Sequence, residues 1–199
     1  MKLFIGLGNP GESYSDTRHN VGFNIVVRIF ERFGTSPWRP KFNSKISSCV
    51  LNDRKAIIAA PQTFMNLSGI AVKEITDFYK LKSQDITVFH DELNLSFGKI
   101  KTKIGGGHGG HNGLKSINQY IGSDYQRVRV GIGHPGDRDK VSSYVLSKFD
   151  SGEKEFASTL FEACSEATPL IEDMRLPEYS DYVYELMAKS QKISADYVP

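Results

Sequence analysis

Cysteine is scarce in this chain. Its 199 residues contain two, Cys49 and Cys164, each inside a run of core-like residues. Neither belongs to a CxxC pair, so a disulfide framework is excluded. Long apolar runs are missing too, since none approaches the roughly 20 residues that span a bilayer. The opening run, residues 1–7, carries one lysine and no small-residue cleavage site, unlike a signal peptide. His90-Asp91-Glu92-Leu93 spells a retrieval signal that is read only at a C-terminus. A cytoplasmic protein is therefore expected. No GxSxG elbow is present, and neither cysteine has a base beside it in sequence, which disfavours an acyl-enzyme. Helix-turn-helix, zinc-finger and RRM signatures are absent, as are internal repeats. Net charge is nearly absent, at +2.

That small total hides a division. Residues 1–149 hold 21 Lys and Arg against 12 Asp and Glu, whereas residues 150–199 hold 4 against 11. A strongly basic body points to a polyanionic partner, and an acidic end does not. With 39% hydrophobic and 24% charged residues, the chain has an ordinary globular balance. Its length suits a single domain with a full core.

Apolar periodicity outlines the elements. Residues 2–7 read as a short buried strand. Residues 20–33 read as an amphipathic helix, with Phe23, Val26, Val27, Phe30 and Phe33 inward, closed by Gly34. Residues 45–51 and 55–60 form a hairpin around Asn52-Asp53. A second helix over 68–80 places Ile70, Val72, Ile75 and Phe78 inward. Strands follow at 86–89, 99–104 and 126–132, with a short helix at 113–121. Helices at 153–171 and 182–193 are separated by a break at Pro177. Interleaved strands and helices predict an α/β fold, a mixed sheet covered on both faces.

Several clusters carry chemistry. Gly6-Leu7-Gly8-Asn9-Pro10-Gly11 spells GxGxxG after a strand, but the next helix starts some nine residues late, against a dinucleotide site. The better reading is a turn that aims Asn9 into a cleft. His19 and Asn20 sit where a loop becomes a helix, and Asn20 suits an N-cap. Asp91 ends a strand. If it accepts from one imidazole nitrogen of His19, the other can take a proton from water. Residues 105–113 hold six of the chain's 18 glycines, exposing backbone N–H groups ahead of a helix. His108 and His111 in that loop leave a metal site as an alternative, although they lack helical preorganisation. Lys99, Lys101 and Lys103 alternate with Ile100, Thr102 and Ile104, and Arg127 and Arg129 alternate with Val128 and Val130. Period two puts each basic set on one face, with the apolar set toward the core. Such stripes form either a protected sheet edge or a phosphate surface, which Arg138 and Lys140 extend.

Together these blocks resemble the bacterial-type peptidyl-tRNA hydrolase family. The likeness runs through Gly6-Leu7-Gly8-Asn9-Pro10-Gly11, Thr17-Arg18-His19-Asn20, Thr63-Phe64-Met65-Asn66-Leu67-Ser68-Gly69, His90-Asp91-Glu92-Leu93, residues 105–115 and Gly131-Ile132-Gly133-His134-Pro135-Gly136. Their collinear order covers about residues 1–149. The resemblance implies one catalytic α/β domain over 1–199, a twisted mixed sheet between helices, with 150–199 as its acidic helical part. It implies hydrolysis of the ester joining a peptide to the terminal ribose of tRNA by a monomer, without metal or cofactor. His19 then matches the general base and Asp91 its orienting carboxylate. Asn9, Asn66 and Asn112 match substrate-binding asparagines. Tyr14, Phe64, Met65 and His111 match residues lining the cleft. Lys103 and Arg129 match tRNA-binding residues, to which the basic surface adds Arg138. The partners are peptidyl-tRNA and its acceptor end, with no membrane.

Two departures stand out. Asn94-Leu95-Ser96 replaces a common Asp-Leu-Pro, and Val27 replaces a frequent acidic residue. A non-catalytic RNA-binding domain and a nucleotide-dependent oxidoreductase are the rival functions. If Lys103, Arg129 and Arg138 meet three phosphates, log affinity for tRNA falls against log salt with a slope of roughly −2 to −3. Filter binding across a salt series measures this, and a flat response contradicts a phosphate-binding body.

Overall fold

A computed structural model describes residues 1–196, with side chains described through residue 190. The strands are β1 (Lys2–Gly6), β2 (Arg39–Lys41), β3 (Ser44–Leu51), β4 (Arg54–Pro61), β5 (Ile86–Glu92), β6 (Ile100–Ile104) and β7 (Gln126–Gly131). Among the described residues they form one seven-stranded sheet in the order β2-β3-β4-β1-β5-β7-β6. The four central strands β4, β1, β5 and β7 are parallel. The flanking strands β3, β2 and β6 pair antiparallel, which makes the sheet mixed. The β3–β4 hairpin turns at Asn52 and Asp53, both at positive φ, as tight hairpin turns demand.

Helices cover both faces. On one lie α1 (Val21–Phe33), α5 (Ser151–Glu166), α6 (Thr168–Glu172) and α7 (Leu176–Asp196). Their Ile25, Ile29, Leu160 and Tyr179 pack against Phe4, Phe89 and Val128 of the sheet. On the other lie α2 (Ser68–Tyr79) and α3 (Asn112–Ile121), whose Val72, Ile75, Leu114 and Ile117 meet Leu3, Ile5 and Val88. Neighbouring residues of β1 thus feed different cores, as the strand's period of two requires. The short α4 (Val141–Val145) stands at the sheet's carboxyl end.

One close approach positions everything that follows. A Cβ at Gly22 would strike the backbone of Leu7 and Phe89, and one at Gly6 would strike the Gly22 carbonyl. Glycine at both positions seats the start of α1 directly on β1 and β5. The backbone completes the seat, with Leu7 N donating to Phe89 O at 3.0 Å and Phe23 N to Leu7 O at 3.1 Å. The 3₁₀ turn Arg18–Asn20 is thereby held over the strand ends.

Several expected details are corrected. In α1 the buried residues include Ile25, Val26 and Ile29, while Val27 is exposed and Phe23, Phe30 and Phe33 pack only partly. In α2, Val72 and Ile75 are buried, Ile70 is half-buried, and Phe78 is 57% exposed against Phe42. Aromatic residues at a helix rim satisfied the period without reaching the core. On β6, Ile100 is buried but Ile104 is exposed, because the strand runs past its cover. The C-terminal break falls at 173–175, where Met174 adopts φ 62. Pro177 instead lies in the first turn of α7, where its missing N–H costs nothing. Helix α5 starts at Ser151 behind an Asp150–Glu153 capping box. The expected helix over 182–193 lies within α7, and residues 197–199 of the acidic segment lie outside the described residues.

Glu153 also anchors the acidic segment to the basic body. Arg18 is 7% exposed and donates through both terminal nitrogens to the Glu153 carboxylate, the Nη1–Oε1 arm measuring 3.1 Å. Its guanidinium lies over Tyr144 at 4.7 Å and Phe149 at 4.9 Å, and its Nε donates to Ser147. Arg18 is buried and Glu153 half-buried, so removing the carboxylate strands a buried guanidinium. Glu153→Ala is therefore expected to lower unfolding stability by about 3 kcal/mol in urea denaturation. Lys73→Ala, which breaks an exposed pair with Asp77, should cost under ~0.5 kcal/mol. Equal effects would contradict the role given to Arg18.

Candidate active site

The site opens where parallel strands end, the usual ligand position in such sheets. A cleft of about 1060 Å³ is lined there by Asn9, His19, Phe64, Met65, Asn66, Asp91, His111, Asn112 and Arg138, among others. At its centre Asp91, 3% exposed on β5, accepts two hydrogen bonds on one oxygen. His19 Nδ1 lies 2.8 Å from Asp91 Oδ1, and His111 Nε2 lies 2.9 Å from the same atom.

The tautomers follow from the partners. His111 Nδ1 accepts the backbone N–H groups of Gly113 and Leu114 at the start of α3, at 3.1 and 3.3 Å. Its proton therefore sits on Nε2 and is donated to Asp91. His19 donates its Nδ1 proton to the same carboxylate, which leaves Nε2 with a lone pair in the cleft. Burial pulls the His19 pKa down, but the charge and hydrogen bond of Asp91 outweigh it, and the net position is above the ordinary 6.5. Burial pushes the Asp91 carboxyl up, yet the two imidazoles hold it well below the usual carboxylate range. Beneath them lies His90, which donates Nδ1–H to the Asp91 carbonyl at 2.7 Å. Its Nε2 is buried without a partner. Burial foremost, then the neighbouring His111, lowers its pKa to about 3, so His90 is a neutral floor.

Asn20 differs from the sequence reading. It makes no cap hydrogen bond to α1. Instead its side chain clamps the Asn9 backbone, accepting from Asn9 N at 2.8 Å and donating to Asn9 O at 2.9 Å. Asn9 Oδ1 in turn accepts from Met65 N at 2.9 Å, which leaves its Nδ2 as the group offered to the cleft. The Gly6–Gly11 turn thus serves an asparagine, and only a 3₁₀ turn follows Gly11.

The other expected residues divide. Phe64 is 56% exposed on the cleft wall, and Tyr14 braces it edge-on at 6.5 Å from behind without lining the cavity. Besides the Phe64–Met65 segment, the lining includes Val141, Val145 and Leu146. Lys103 is exposed on β6 with its ammonium beside Gly106, outside the cavity lining. Arg129 also stands outside and donates to Glu92 Oε2 at 3.0 Å. Arg127 does not belong to the basic surface. It is 2% exposed and donates to the carbonyls of Gly107 and Gly106, both at 2.7 Å. It holds the glycine loop, whose Gly105, Gly106, Gly109 and Gly110 all take positive φ. The His108–His111 pair forms no metal cluster. Among the described residues the group with ligand-like spacing is His19, Asp91 and His111, whose atoms lie within 4.8 Å and are already joined by hydrogen bonds. Arg18, Glu92 and His90 are the contributors the sequence reading missed. The signal available for Arg18 was its place beside His19.

A family model described as "Peptidyl-tRNA hydrolase" matches residues 3–191. The chain belongs to the peptidyl-tRNA hydrolase family. A peptidyl-tRNA hydrolase of Ruegeria pomeroyi is 50% identical over 169 residues, 85% of this chain and 71% of that protein. One from Nitrobacter hamburgensis is 40% identical over 98% of this chain and 96% of its own length. The crystal structure of peptidyl-tRNA hydrolase from Acinetobacter baumannii superposes with a TM-score of 0.86 at 36% identity, covering 92% of this chain and 94% of that one. The departures from the family pattern leave the local structure intact. Asn94 N donates to Glu92 Oε1 at 3.0 Å, Gly133 N to Leu95 O at 3.0 Å and Lys99 N to Ser96 O at 3.0 Å. Val27 is exposed on α1, away from the cleft lining.

A base must be unprotonated to act. With the His19 pKa above 6.5, kcat/KM should rise with pH through a midpoint above 6.5. In Asp91→Asn the charge is gone while burial remains, so the midpoint should fall below that of the wild type as the rate drops. A pH–rate profile of both proteins checks this, and an unmoved midpoint would show that Asp91 does not control His19.

Proposed function

We propose that this chain hydrolyses the ester between a peptide, or an N-blocked amino acid, and the terminal ribose of tRNA by direct attack of water. One observation carries the reading: His19 Nδ1 is 2.8 Å from a buried carboxylate, and its other nitrogen faces a large open cleft. His19 Nε2 takes a proton from water as the water oxygen bonds the ester carbonyl carbon. Asp91 stabilises the imidazolium and keeps it oriented. Collapse breaks the bond to the ribose oxygen, and His19 returns the proton to that leaving group. The products are a peptide carboxylic acid, which ionises, and free tRNA.

Asn9 Nδ2, Asn66 and Asn112 supply donors to the peptide and to the developing oxyanion. Phe64 and Met65 form the peptide's apolar wall, braced by Tyr14. His111 acts through Asp91. Lys103, Arg129 and Arg138, with the glycine loop, receive the acceptor end, Arg129 exchanging Glu92 for phosphate. The activity belongs to the cytoplasm, in a single catalytic domain acting as a monomer without metal or cofactor. Among the described residues no helix is long and apolar enough to cross a membrane. Among the described residues, the acidic segment from residue 150 onward contributes none to the cleft lining and serves as helical cover.

The test is release of the acyl amino acid from N-blocked aminoacyl-tRNA in the presence of a chelator. The wild type should turn over, and His19→Ala should lose about 10²- to 10⁴-fold while still binding tRNA. Full activity in His19→Ala sinks the mechanism. Loss of wild-type activity to the chelator would mean a metal-assisted reaction. Binding without turnover would mean an RNA-binding protein.

A further inference from the structure

Three short turns share one construction. In His108-Gly109-Gly110, His111-Asn112-Gly113 and His134-Pro135-Gly136 the histidine Nδ1 accepts the backbone N–H of the glycine two residues on, at 3.1, 3.1 and 3.0 Å. A ring nitrogen that accepts carries no proton, so the neutral imidazole bears its proton on Nε2. Each turn therefore converts a histidine into a donor of fixed position. In His111 the donor meets Asp91. In His108 and His134 the Nε2–H group has no acceptor among the described residues. Both rings line the cleft, on two different loops.

Both histidines are exposed, so an acceptor brought by a ligand can reach them. The carboxylates of the cleft are already engaged, Asp91 by two imidazoles and Glu92 by Arg129 and Asn94 N. The two histidine donors are therefore not spent on the carboxylates of the cleft, and Arg138, exposed in the same lining, adds a positive charge. A phosphodiester offers two acceptor oxygens and one negative charge, which matches that set. We propose that His108 and His134 are positioning residues that donate Nε2–H to phosphate oxygens of the nucleotides adjoining the scissile ester, with Arg138 as the accompanying cation. The inference rests on the hydrolase reading above. It separates the cleft into a hydrolytic end at His19 and a phosphate-reading part built on pinned imidazoles.

Asparagine distinguishes the two halves of the device. Its Oδ1 can hold the same turn, as Asx turns do, but it has no donor at the reach of Nε2. His108→Asn and His134→Asn should each raise KM for N-acetylaminoacyl-tRNA about tenfold with kcat retained, the scale of one charge-assisted hydrogen bond. For the same aminoacyl ester on adenosine, which has no phosphate, kcat/KM should change by less than about twofold. Glutamine, whose amide N–H lies nearer the Nε2 position, should recover part of the tRNA effect. Equal losses on both esters would assign the histidines to the peptide or to loop structure and overturn the proposal, as would no loss on tRNA.

A second measurement is independent of turnover. Histidine ¹⁵N spectra of the wild type should show the Nε2–H tautomer at both residues. Their signals should move on addition of a cytidine-cytidine-adenosine trinucleotide and stay put with adenosine. No response to saturating trinucleotide overturns the phosphate site. If the wild type cleaves neither ester, the hydrolase reading fails instead, and the titration still decides whether these histidines meet phosphate.

Discussion

A carboxylate taken out of water survives as an anion only if its charge is met locally. Asp91 is almost fully buried, and the surrounding architecture answers that requirement. Two imidazoles donate to one of its oxygens, a third imidazole holds its backbone carbonyl, and the start of α3 fixes the tautomer of one donor. The arrangement has a chemical consequence. An Asp91 anion that needs donors holds His19 with its Nδ1 protonated, and the nitrogen left over is the one that faces the cleft. The same interaction that makes the carboxylate tolerable fixes the tautomer of His19.

Holding His19 there requires a rigid path back to the sheet. The Gly6–Gly22 contact brings α1 onto the strands, so the turn before the helix sits at the strand ends. Arg18, the residue before His19, reaches the other way. It stacks between Tyr144 and Phe149 and pairs with Glu153, tying the turn to the segment whose Val145 and Leu146 line the cleft. One wall of the cleft and His19 are therefore held through adjacent residues of one short turn. The chain belongs to the peptidyl-tRNA hydrolase family, and its cleft is lined by both apolar residues and hydrogen-bonding groups.

The basic body is less uniform than its charge count. Arg127 is consumed inside, where it shapes the glycine loop through two carbonyls, and Arg129 is paired with Glu92. What remains exposed near the cleft is a smaller set. Period two along β7 placed both arginines on one face, as expected, but that face is covered at one position and open at the other. A strand pattern reports the side on which a residue lies. It cannot report what a loop from elsewhere in the chain lays over it.

Much of the molecule was legible before any coordinates. The α/β class, the hairpin at Asn52-Asp53 and the strands follow from spacing and residue chemistry, which are local properties, whereas the grouping of His19, Asp91, Asn9, Asn66 and Asn112 was implied by the resemblance to a known family. The less legible features all depend on partners distant in sequence. Asn20 became a clamp on Asn9 in place of a helix cap, Arg18 found Glu153 135 positions away, and Pro177 began a helix that it was expected to interrupt. His111 shows the division most clearly. Its place in a glycine-rich loop left it a possible metal ligand, and the resemblance to a known family placed it in the cleft. Only the folded chain, by spending both ring nitrogens on Asp91 and on α3, decided that it serves the carboxylate, because a hydrogen bond has direction and direction exists only in three dimensions.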